Sequence, residues 1–112
     1  MLNFLVSDKP SINDKPEASY TKTSGQEMKL PCAWDKADGL PKWKFTQKGS
    51  NTSVDVDAKN VDASSYTITS VSPDDEGKYT CSAENTYGKS MVETEISQVI
   101  STLFLGYLSL LP

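Results

Sequence analysis

The 112-residue chain contains no arginine and no histidine. Without His there is no Ser–His or Cys–His nucleophile pair and no His-containing zinc site. Without Arg there is no bidentate fork for phosphate, guanine or a substrate carboxylate. All 11 basic residues are Lys, against 15 Asp and Glu, for a net charge of -4. An acidic chain with scattered lysines has no electrostatic footprint for nucleic acid. Two cysteines are too few for a Cys-rich metal site. No residues are left to carry an enzyme, so neither catalysis nor a cofactor is expected, and a binding or structural module remains.

What is present suits one folded domain. At 37% hydrophobic and 23% charged, the chain is too apolar and too weakly charged for disorder. Its length allows a core that buries roughly two-thirds of the unfolded surface. Cys32 and Cys81 read either as one disulfide or as two buried thiols. A bridge would stabilise by roughly 4 kcal/mol through loop entropy and points to an oxidising compartment. Reduced thiols would suit a cytosolic domain.

No helical stripe of useful length exists. Turn formers at Gly25, Asp38-Gly39, Gly49-Ser50-Asn51, Pro73-Asp74-Asp75, Gly77 and Gly88 cut the chain into short runs of period two, the pattern of an all-β sandwich or barrel. Met28, Leu30 and Cys32 share one phase. So do Trp43 and Phe45, with Lys42 and Lys44 outward. Tyr66 pairs with Ile68, and Tyr79 with Cys81 and Ala83. Val92, Thr94 and Ile96 point inward, with Glu93 and Glu95 outward. Such clean alternation gives each sheet one buried and one wet face. Val54 to Ala58 reads as a short edge strand with Val54 and Val56 inward and Asp55 and Asp57 discouraging edge pairing. Residues 8–24 read as one irregular edge strand anchored by Ile12 and Tyr20.

Cys32, Trp43 and Cys81 resemble the Cys…Trp…Cys core of an immunoglobulin domain. Asp75-Glu76-Gly77-Lys78-Tyr79-Thr80-Cys81 fits the family's D-x-G-x-Y-x-C, and Cys81 to Gly88 resembles the C-x-A-x-N-x-x-G of the intermediate, or I-set, subclass. The resemblance covers roughly residues 10–99. It implies an immunoglobulin-like two-sheet antiparallel β-sandwich with one inter-sheet disulfide, Cys32–Cys81, packed against Trp43, with Leu30 and Ile68 in the core. It implies a tyrosine corner at Tyr79, whose hydroxyl bonds backbone upstream. Gly77 allows the tight turn before that strand. Asp75, paired with an Arg in variable-type relatives, has here only a Lys such as Lys59 or backbone N–H groups. Pro31, beside Cys32, implies a gap or bulge in the ladder, and Trp34 is expected to cap the end of the sandwich.

Asn51-Thr52-Ser53 is an N-glycosylation sequon in a polar turn. Asp74, Asp75 and Glu76, like Asp55, Asp57 and Asp62, read as solvated turn and edge charges rather than a calcium cage. Lys42 and Lys44 are on the sheet that often meets partners in the resembling family; the competing reading is a solvated face.

Met1 to Val6 is apolar but lacks the basic start and cleavage site of a secretory signal. The tail from Val99 to Pro112 is apolar without period, yet too short for an ordinary membrane span of about 20 residues. It reads as a truncated span, an alternative C-terminus or a fragment's tail. A GPI signal would place its cleavage site near Ser90, within a needed strand. The expected division is an N-terminal extension over 1–9, the domain over 10–99 and a tail over 100–112, with alternation ending at Ile96 to Gln98.

Two functions follow from the resemblance. One is a cell-surface, extracellular module for adhesion or ligand recognition, with a homophilic or heterophilic protein partner and membrane attachment through the tail or parent chain. The other is an intracellular I-set module of a giant muscle or cytoskeletal protein, cytoplasmic and sarcomeric, with a scaffolding or mechanical role.

Overall fold

The period-two runs become nine strands in the computed structural model, which describes residues 8–101. The expectations for Met1 to Val6 and for residues 102–112 lie outside that range. The strands are β1 (Ser11–Asp14), β2 (Ser19–Thr23), β3 (Met28–Pro31), β4 (Ala33–Asp35), β5 (Lys42–Gln47), β6 (Ser53–Asp55), β7 (Ser65–Ile68), β8 (Gly77–Asn85) and β9 (Gly88–Ile100). Two 3₁₀ turns occupy Ala58–Asn60 and Pro73–Asp75.

One layer is the five-stranded sheet β2-β9-β8-β5-β6. The other consists of the ladders β1–β4 and β3–β7, whose strands β3 and β4 are one run broken at Cys32. Pro31 explains the break. Cys32 N–H donates to the Ser64 carbonyl at 2.8 Å, toward β7. Backbone groups alternate sides along a strand, so the missing donor of Pro31 falls on the β1 side, where pairing begins only at Ala33.

Every ladder is antiparallel except β2 with β9, which is parallel. This corrects the reading of residues 8–24 as one irregular edge strand. They form two strands in opposite layers, and the chain crosses between them at buried Pro16, which has no N–H to lose. Ile12 and Tyr20 do pack against the core, one from each layer.

The core comprises Met28, Leu30, Cys32, Trp43, Ile68, Val71, Tyr79, Cys81 and Ile96, joined by Val99. Val99 is the last residue of the expected domain but lies past the expected end of the alternation. Register runs from Tyr20↔Ile96 to Thr21↔Gln98, skipping Ser97. This one-residue bulge reverses the phase of β9, so that Val99 turns inward and is 6% exposed. The strand continues to Ile100, whose carbonyl accepts from Ser24 N–H at 2.7 Å. Alternation stops at Ile96 because of the bulge, while the strand does not.

The edge strand β6 also differs from its expectation. It covers Ser53–Asp55, and Val54 is 52% exposed rather than inward. Val56 alone packs on the core, and Ala58 begins a 3₁₀ turn.

Candidate interaction surface

The interior fixes the platform on which any surface is displayed. The Cys32–Cys81 disulfide joins the layers, with Cα atoms 6.7 Å apart. Trp43 faces Cys81 across the β5–β8 ladder and is 3% exposed. Its ring lies 5.7 Å from that of Tyr66. Among the described residues its buried Nε1 has no hydrogen-bond partner. Trp34, expected as an end cap, reaches inward instead: its Nε1 donates to Cys81 Sγ at 3.4 Å. The bridge therefore meets two indoles, and only that of Trp34 gives it an N–H contact.

Below the bridge, the Tyr79 hydroxyl donates to the Asp75 carbonyl at 2.6 Å. The Tyr79 ring stacks on Phe45 with centroids 4.6 Å apart. Burial pushes the Tyr79 hydroxyl far above the usual phenol range, and the Asp75 charge adds to this. Burial raises Tyr66 in the same direction. Asp75 resolves its missing Arg through backbone: its carboxylate accepts from Ser72 N–H at 2.8 Å. Lys59 instead pairs with Asp57 at 3.5 Å. Gly77, at φ +149°, brings β8 against β5, where a Cβ would run into the Thr46 carbonyl oxygen. Leu30 and Ile68 are buried on β3 and β7.

The outer face of the five-stranded sheet carries Lys42 and Lys44. Register sets its side chains in rows. Lys42, Ser82 and Met91 form one; Lys44, Thr80 and Glu93 the next; Thr46, Lys78 and Glu95 the third. Above them Glu84 faces Lys89. Met91 is 55% exposed and Leu40, just before β5, is 57% exposed. Lys44 Nζ binds Asp55 Oδ1 at 2.8 Å, which holds the Asp55 carboxyl below the usual carboxylate range. A groove of about 560 Å³ opens beside this face, with Leu40, Pro41, Val56, Ala58 and Val61 among its apolar lining and Lys42, Lys44, Lys89 and Asp55 among its charged lining.

Asn51 is exposed in the β5–β6 turn. Its sequon partner Ser53 shares a 2.7 Å hydroxyl bond with Thr46. Most of the carboxylates read as turn and edge charges have partners within the domain. Asp57 accepts from Lys59 N–H, and Asp62 accepts from the N–H groups of Ser64 and Ser65 at 2.8 Å each. The Ser64 bond leads in holding the Asp62 carboxyl below its ordinary range. Glu76 accepts from Val99 N–H at 2.7 Å. Among the described residues no group of three His, Cys, Asp or Glu is placed to hold a metal ion.

One organising residue escaped the sequence reading. Asn85 Nδ2 donates to the carbonyls of Asp8 at 2.9 Å and Lys36 at 2.8 Å, and Asn85 Oδ1 accepts from Tyr87 N–H at 2.8 Å. It ties the N-terminal segment, the β4–β5 loop and the β8–β9 hairpin together. The available signal was its place as the Asn of C-x-A-x-N-x-x-G.

Solved structures share this architecture. The chain superposes on one determined for Dscam isoform specificity with a TM-score of 0.68 at 19% identity, covering 84% of this chain and 25% of that one. For the titin M10–obscurin-like 1 complex the TM-score is 0.61 at 20% identity, covering 83% and 95%. For the insect immune protein hemolin it is 0.60 at 24% identity, covering 80% and 22%. The chain thus spans about a quarter of the Dscam structure's length. No curated protein matches the sequence. A family model described as an immunoglobulin domain matches residues 9–85, and with the sandwich and its bridge this shows that the chain belongs to the immunoglobulin-domain family.

Proposed function

We propose that the chain is an extracellular, cell-surface I-set module that recognises a protein partner in adhesion or ligand binding, without catalysis. The observation that carries this reading is the outer face of β5, β8 and β9. It presents charged side chains of both signs around Met91 and Leu40, which are more than half exposed, beside an open groove. Exposed apolar residues framed by charge are what recognition surfaces offer. The disulfide, exposed Asn51 as a glycan acceptor, and the likeness to Dscam and to hemolin, whose structure was described with implications for homophilic adhesion, support the same reading. Membrane attachment would come through residues 100–112 or a longer parent chain.

The test is binding of the secreted domain, displayed as a tetramer, to cells. Reversing Lys42 and Lys44 together to Glu should abolish binding, whereas Lys29→Glu, an exposed position of β3 in the other layer, should not. Equal binding by all three proteins would reject this face as the partner surface. Expression through a secretory pathway should also add an enzymatically removable glycan that Asn51→Gln eliminates.

A second reading is an intracellular I-set scaffold or mechanical module. The likeness to the titin M10–obscurin-like 1 structure supports it, as does parallel β2–β9 pairing, which loads several hydrogen bonds in shear when the chain is stretched. A domain that stays folded at 37 °C with both cysteines reduced would favour it. Unfolding on reduction would favour the extracellular reading.

A further inference from the structure

We infer that Asp38–Gly39 in the β4–β5 loop is a site of spontaneous backbone isomerisation, at which Asp38 turns into isoaspartate and displaces Leu40 on the rim of the recognition face. The chemistry needs an aspartate followed by an unhindered, unengaged amide. The Gly39 nitrogen attacks Cγ of the Asp38 carboxyl group and a C–N bond forms. The carboxyl hydroxyl leaves with the amide hydrogen as water, which closes a five-membered succinimide. Water then opens the ring at either carbonyl. Attack at Cγ restores aspartate. Attack at the α-carbonyl leaves the main chain running through Cβ and Cγ, which is isoaspartate. One water leaves and one enters, so no other reactant is required.

This is the only Asp–Gly or Asn–Gly pair in the chain. Both residues are exposed in an irregular bend, and a Cβ on Gly39, at φ +82°, would meet nothing within 4 Å. Without a Cβ, Gly39 can adopt the backbone that ring closure demands. Among the described residues neither the Asp38 carboxylate nor the Gly39 N–H has a hydrogen-bond partner. Other aspartates are held away from the next amide. Asp57 and Asp62, each followed by Ala, accept instead from the N–H of Lys59 and from those of Ser64 and Ser65. The product strains one place in particular. Upstream, the Lys36 carbonyl accepts from Asn85 Nδ2 at 2.8 Å, and Asp38 N–H donates to the Glu84 carbonyl at 2.9 Å. Downstream, Pro41 is buried just before β5. The extra backbone carbon is therefore taken up by Gly39 and Leu40. Leu40 is 57% exposed and lines the groove, so its displacement reshapes that wall while the carboxylate, and with it the net charge, is kept. The effect on recognition rests on the outer face being the partner surface; the isomerisation does not.

Ageing the folded chain at physiological temperature and pH, then mapping the tryptic peptide of residues 37–42, tests the site. A second peak of unchanged mass should accumulate there faster than in any other peptide of the chain. It should accept a methyl group from S-adenosylmethionine through an isoaspartyl methyltransferase. The rate should be close to that of the free peptide of residues 36–41, because the fold engages neither reacting group. Asp38→Glu, which would need a six-membered ring, should abolish the new peak and keep the urea midpoint. A folded chain that forms no isoaspartate at Asp38 under conditions where the free peptide does overturns the site. The purified isoaspartyl form, displayed as a tetramer, should bind cells more weakly than the fresh chain, and equal binding overturns the effect of Leu40 on recognition. A fresh tetramer that binds no cells, or binds them independently of Lys42 and Lys44, rejects the recognition reading alone, and the peptide map still decides the site.

Discussion

The two ends of β8 are held by different means. At Gly77, backbone packs on backbone. Tyr79 binds the Asp75 carbonyl under a stacked Phe45, Asp75 binds Ser72 N–H, and Glu76 secures Val99 N–H. At the other end one amide, Asn85, ties three segments near the surface. Both ends use side chains to satisfy backbone groups. Only the first adds burial, and burial makes a lost hydrogen bond expensive. The Gly77 end should therefore govern global stability, and the Asn85 end the local order of the loops that it joins.

Two glycines give the sharpest break of that comparison. Gly77 and Gly88 have similar backbone, φ +149° and +142°. A Cβ on Gly77 would strike the Thr46 carbonyl and come within 2.9 Å of Lys48 N, atoms that cannot move without parting β5 from β8. A Cβ on Gly88 would meet Lys9 Cδ at 2.8 Å, in a flexible side chain that can swing away. Gly77→Ala should cost about 4 kcal/mol or more, and Gly88→Ala about 1–2 kcal/mol, mostly backbone strain. Urea midpoints read both. Equal losses would mean that the two ends do not differ in rigidity.

Tyr79→Phe comes next. The ring and its stacking stay, and the Asp75 carbonyl loses its donor. The expected cost is about 1–3 kcal/mol, and an unchanged midpoint would show that the corner bond contributes nothing. The pH dependence has a definite sign. The folded-state pKa of Tyr79 is raised, so its contribution is fully present below the ordinary phenol value near 10 and is lost as pH rises above it. The alkaline limb of stability should therefore be shallower in Tyr79→Phe.

How much of this was legible depended on whether one strand carried its own phase. Leu30, Cys32, Trp43, Tyr79 and Cys81 alternate on strands with one wet face, so period and spacing placed them. Val99 escaped because a single extra residue, Ser97, inverts the phase, and no local composition marks a bulge. Val54 escaped because an edge strand need not bury its apolar side chain. The crossing at Pro16 depends on β9 accepting a parallel partner far away in sequence, which no short window contains. On the outer face the lysines were legible as exposed, but their opposition to Glu93 and Glu95 emerges only from register.

Asn85→Ala tests the weaker end. Its three hydrogen bonds are near the surface, where water can replace them, so the global cost should be about 1 kcal/mol. The larger effect should be local, with faster amide exchange and protease cutting around Asp8 and Lys36 while the β5–β8 amides keep their protection. Loss of protection throughout the sandwich would make Asn85 as central as Tyr79.

The smallest effect is expected at the Lys44–Asp55 pair, which belongs to neither end and measures what an exposed contact contributes without burial. Lys44 holds the Asp55 carboxyl below its ordinary value by a 2.8 Å hydrogen bond and by its charge. A depressed folded-state pKa contributes stability that is present above the unfolded carboxylate value near 3.9 and is lost as pH falls through the lower folded value. Asp55→Asn removes that contribution, so the variant should lose slightly less stability than the parent between about pH 5 and pH 2 and differ little at neutral pH. The two carriers are both exposed, and solvent and salt screen such pairs strongly. The difference should therefore fade at high ionic strength, whereas the penalty of Tyr79→Phe, which comes from an unpaired carbonyl, should not. An Asp55→Asn penalty at neutral pH as large as that of Tyr79→Phe and insensitive to salt would show that burial is not what separates the strong contacts of this sandwich from the weak ones.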